Sequence, residues 1–173
     1  MMIQTVIVFL LSNYSLTYLL IGLLAAAVSL ARHPRPLESA AIVESLLKYY
    51  ILFALGFGNL HNFVMHVIFG DLAARFIGWE QSPFQAEVGF ASLGFAAVAF
   101  FAYRCGLAAR AAAVIGPSCF SLGAAGGHVY QMITAHNFAP GNAGIVFYTD
   151  IGIPILGCAL LWLSYKHERQ PEG

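Results

Sequence analysis

Six ionisable side chains sit where the chain is otherwise apolar. His61, His66, His128 and His136, with Glu87 and Asp150, lie within or at the edge of long hydrophobic runs. Neutral imidazole together with carboxylate is a donor set for zinc, iron, manganese or copper. The four histidines are therefore candidate metal ligands. Glu87 and Asp150 are candidate catalytic carboxylates, either as further ligands or as the base that takes a proton from bound water. Asn62, Gln131 and Tyr148 are candidate partners that orient such a cofactor site. No spacing among these residues matches an established ligand signature such as HExxH.

The same residues support three other readings. A b-type haem held between His61 and His128 is one, because haem is commonly ligated by histidine. A carrier or quinone-type pocket is another, since intramembrane His and Asp/Glu mark proton and ion pathways. The third is structural: polar side chains in membrane helices hydrogen-bond across helices and fix their packing.

The elements that carry these residues follow from composition. Of 173 residues, 60% are hydrophobic and 9% charged, against about 25% charged in soluble domains. That much apolar surface demands a bilayer. A span needs about 20 mostly apolar residues. Five segments qualify, at about 3–31, 49–69, 84–103, 111–135 and 143–165. The expected fold is all-α, a polytopic transmembrane helix bundle in one integral-membrane domain, 1–173. A formal net charge of zero leaves no basic footprint for nucleic acid. The expected partners are the lipid bilayer, a small lipid-soluble ligand and a membrane protein. Cys105, Cys119 and Cys158 are widely spaced and read as small core residues.

Charge orients the bundle. Arg32, Arg35 and Lys48 flank the first connection, Arg104 and Arg110 the third, and Lys166 and Arg169 occupy the tail. Only Arg75 lies in the second connection. The positive-inside rule puts the C-terminus in the cytoplasm and the N-terminus outside. The ionisable layer then lies in the outer half. Ser82-Pro83-Phe84-Gln85 reads as a helix start with Ser82 at the N-cap. Glu44 and Lys48 are spaced as an i,i+4 pair. A short surface helix is expected from about Asp71.

Three strings carry a resemblance: GNLHNFVMHVIFGDLAARFIGW at Gly58–Trp79, SPFQAEVGFASLGF at Ser82–Phe95 and GGHVYQMITAHNFAPGNAG at Gly126–Gly144. Together they resemble an uncharacterised family of small bacterial multi-pass membrane proteins, a domain of unknown function. The likeness covers about residues 40–165. It implies a bacterial inner-membrane location and no particular activity. The middle string is also similar to the DoxX-like membrane proteins, which implies redox or quinone chemistry.

Overall fold

Asn13 breaks the first apolar run, so that run does not form the single helix expected over 3–31. The computed structural model, which describes residues 2–169, has α1 at Met2–Ser12 and α2 at Tyr14–Ala31. The cause is local. Asn13 leaves the helical region, at φ −113 and ψ 42. Its side-chain amide donates to the Phe9 carbonyl at 2.9 Å. The Thr17 hydroxyl donates to Leu10 of the turn before the break, also at 2.9 Å. The Asn13 and Thr17 backbone amides still donate to Phe9 and Asn13, both at 3.0 Å, and the short polar side chains add further donors to carbonyls at the break.

Helix α3 runs from Ser39 to Ile68. Within it, Ile51–Phe57 and Val64–Ile68 are wound as π-helix. Then come α4 (Gly70–Ile77), α5 (Phe84–Ala102), α6 (Leu107–Thr134) and α7 (Pro140–Arg169), the last interrupted at Gly144. There is no strand among the described residues. Helices α2, α3, α5, α6 and α7 are long and apolar enough to cross a membrane. They give the all-α, five-span bundle that hydropathy predicts. Two spans are longer than the apolar windows, because helical hydrogen bonding does not stop where hydropathy falls. α3 takes in Ser39, Glu44, Ser45 and Lys48, and α7 continues to Arg169.

α3 is the axis of packing. Leu47, Tyr50, Ile51, Ala54 and Leu55 meet Ala99 and Ala102 of α5, Ala113 and Val114 of α6 and Leu160 of α7. The Tyr50 hydroxyl donates to the Ile153 carbonyl at 2.9 Å. The next residue, Pro154, supplies no amide hydrogen, and the helical partner this removes is that of the Asp150 carbonyl, four residues back. Gly157 leaves the space that the Tyr50 ring occupies. At the cation-rich end, Arg110 of α6 grips both oxygens of Glu44 in α3. Glu44 is thus paired across helices, not with Lys48 as spacing predicted.

The opposite end is closed by α4 and the α6–α7 connection. The Asn137 amide donates to the carbonyls of Ile77 and Gly78, at 3.0 and 3.1 Å. Gly78 ends α4 at φ 76, a conformation that favours glycine. Its missing Cβ also leaves room for the Asn137 amide. Ser82 does not cap α5. Pro83 is the N-cap, without a side-chain bond, and Gln85 instead donates to the Gly70 carbonyl at 3.2 Å. The cysteines also depart from expectation: Cys119 and Cys158 are exposed on the outside of the bundle and Cys105 is half-buried.

Candidate functional site

Asn142, in the first turn of α7, is fully buried and organises the polar interior. Its side-chain nitrogen donates to the carbonyls of Asn137 and His128, at 2.9 and 3.2 Å. Its oxygen therefore points the other way, where the Trp79 indole N–H donates to it at 2.9 Å. An indole nitrogen is a donor only, so the amide orientation is fixed from both sides.

That orientation sets the state of His128. Its Nδ1 lies 2.8 Å from the same Asn142 oxygen, which accepts and cannot donate. Nδ1 must carry a proton. Nε2 then faces Oδ2 of Asp150 at 3.5 Å. His128 is buried and Asp150 nearly so. The Trp79 ring covers the imidazole, with centroids 5.4 Å apart.

A second hydrogen-bonded chain comes from the other side of the bundle. The Tyr14 hydroxyl donates to Asn62 Oδ1 at 2.6 Å. Asn62 Nδ2 donates to Ser92 Oγ at 2.8 Å, and Ser92 donates to the Val88 carbonyl at 2.9 Å. Tyr14 lies within electrostatic reach of Asp150. Tyr14, Asn62, Ser92, His128 and Asp150 come one from each of the five long helices.

The remaining candidates stand outside these two hydrogen-bonded chains. His61 is stacked face to face on Tyr14, with centroids 4.5 Å apart and planes 7° from parallel, and meets Tyr18 edge-on. His66 lies in the second π-helical stretch, its Nδ1 buried and without a hydrogen bond. Gln131 is half-buried one turn beyond His128. Glu87 is exposed in the first turn of α5. His136 is exposed in the α6–α7 connection, at φ 49. Tyr148 is exposed and packs on Phe147.

This geometry does not fit a metal or haem held by the four histidines. Among the described residues, no three His, Cys, Asp or Glu side chains are grouped to hold one ion. Both nitrogens of His128 already face protein oxygens, which leaves neither directed at a metal or an iron.

Sequence reasoning missed Asn142, Trp79, Tyr14 and Ser92 as members of the site. Asn142 stands in a Pro-Gly-Asn string that reads as a turn, and Trp79 reads as an interfacial anchor. A buried role for Asn142 is hinted at only by its place two residues after a helix-starting proline.

No curated protein matches this chain, and no solved structure does. A family model covers residues 12–170, which takes in all five long helices and the whole of the polar network, and on that match the chain belongs to DUF6790, a family of unknown function.

Proposed function

We propose that this protein relays protons within the membrane, with His128 and Asp150 as the pair that holds the exchangeable proton. One observation carries the reading: Asn142 fixes His128 Nδ1 as a donor, so Nε2 and the Asp150 carboxyl face each other at 3.5 Å. With one proton between them the pair is neutral and complementary, either imidazole with carboxylic acid or imidazolium with carboxylate. With none, the Nε2 lone pair confronts a carboxylate, and a net negative charge sits among apolar helices. With two, a net positive charge does. Both extremes are costly in a low-dielectric interior. The pair thus holds one proton at rest, and it passes charge on only if a second proton arrives as the first leaves, the coupled exchange expected of His and Asp/Glu groups in membrane relays. The Tyr14 hydroxyl, bonded to Asn62, lies within electrostatic reach of Asp150. In this reading the protein is a carrier or a membrane subunit, without a metal or haem of its own.

The test is proton movement into proteoliposomes under an imposed membrane potential, read by an entrapped pH dye. Wild type should carry protons, and His128→Gln and Asp150→Asn should each slow the flux about tenfold or more, in line with the weight of a positioned acid–base group. Asp150→Glu should restore part of it. Flux no greater than in protein-free liposomes, or flux that both variants leave intact, overturns the proposal.

A further inference from the structure

Outside the polar network, a groove of about 460 Å³ runs along α2. Ile21, Leu24, Ala25 and Val28 form its wall, at the three- and four-residue spacing of one helix face. Ser29 and Arg32 stand at its end, where Tyr49 of α3 closes the side. Arg32 makes no ion pair with any described residue. The cations Arg35 and Lys48 belong to the same end of the bundle.

The dimensions match a lipid. From Ile21 to Arg32 the helix rises about 16 Å at about 1.5 Å per residue. One leaflet of a hydrocarbon core about 30 Å thick is about 15 Å deep. An apolar wall of one-leaflet length, ending in an unpaired guanidinium, is complementary to an amphiphile with an acyl chain and an anionic head. Guanidinium is the side chain best suited to a phosphate oxygen pair.

We propose that this groove seats one chain of an anionic phospholipid, with its phosphate on Arg32. A basic pocket between helix ends has this use in general. The site is independent of the His128–Asp150 reading, and it needs no particular orientation of the bundle.

The experiment is native mass spectrometry of the full chain in detergent, with phosphatidylglycerol or phosphatidylcholine of the same acyl composition. Wild type should retain the anionic lipid about fivefold better, the discrimination that one basic residue supplies at a membrane surface. Arg32→Gln should bring the two lipids to parity, whereas Arg35→Gln should keep the preference. Ala25→Trp, which fills the groove, should release both lipids. Thermal melting of each variant in detergent separates loss of the site from loss of the fold. Equal retention of the two lipids by wild type overturns the proposal. So does a preference that survives in a folded Arg32→Gln protein, or one lost equally in Arg35→Gln.

Discussion

Asn142 determines what His128 can do. Its amide makes two donations to carbonyls and receives two, all in a buried setting where each unmade bond is costly. Asn142→Ala should therefore destabilise the protein by about 2 kcal/mol or more, measured by denaturant unfolding in detergent. Asp150→Asn should remove a carboxyl band from the pH-difference infrared spectrum and leave the helical circular dichroism unchanged. A full set of carboxyl bands in that variant would take the exchangeable proton off Asp150. His128 and Asp150 were legible in the sequence because an ionisable group inside an apolar run is conspicuous. Their partners were not. Asn, Ser and Tyr are unremarkable at a turn or in a span, and their roles depend on which helices are neighbours. Glu87, exposed on α5, illustrates the converse: depth alone placed it with the others, and its helix face turned it away.

Helices were legible where hydropathy is the dominant force and less so where local hydrogen bonding competes. All five spans follow from length and apolarity, and the short surface helix expected from about Asp71 forms at Gly70–Ile77. The break at Asn13 does not, since a single Asn is commonplace in a span and the decisive contacts are with Phe9, Leu10 and Thr17. The two π-helical stretches of α3 left no signal in the hydropathy pattern either. Close packing between elements makes its own prediction. A Cβ at Gly157 would collide with the Tyr50 phenol, which also holds the Ile153 carbonyl. Gly157→Val should cost about 1–3 kcal/mol through overpacking, visible as a lower melting temperature. The double variant with Tyr50→Phe should recover part of the loss, because it removes the hydroxyl that is nearest the new side chain.

The molecule as a whole has two unlike ends. One is closed by α4 and the α6–α7 connection over the polar network, and the other carries the cations and the Arg110–Glu44 pair. Arg110 is buried but Glu44 is half-exposed, so solvent screens the pair. Arg110→Leu should destabilise by about 1 kcal/mol, and a double-mutant cycle with Glu44→Gln would isolate the coupling. The charge asymmetry carries an expectation about topology. A fluorescent protein fused after the last helix should light up in cells, and an alkaline phosphatase fused there should stay inactive. The opposite pair of results would invert the orientation and put the polar network in the inner half.

The π-helical winding of α3 bears on how this chain tolerates insertions and deletions. A turn closed by i→i+5 bonds holds a residue more than an α turn needs. Removing one residue from Ile51–Phe57 tightens that stretch and leaves everything after it facing as before. Removing one from Gly58–Phe63, which is already α-helical, has no slack to draw on and turns the rest of the helix by about 100°. A deletion in this second segment that lies before Asn62 would part Asn62 from Tyr14 and Ser92. Two adjoining turns of one helix should thus differ sharply in the length changes they accept.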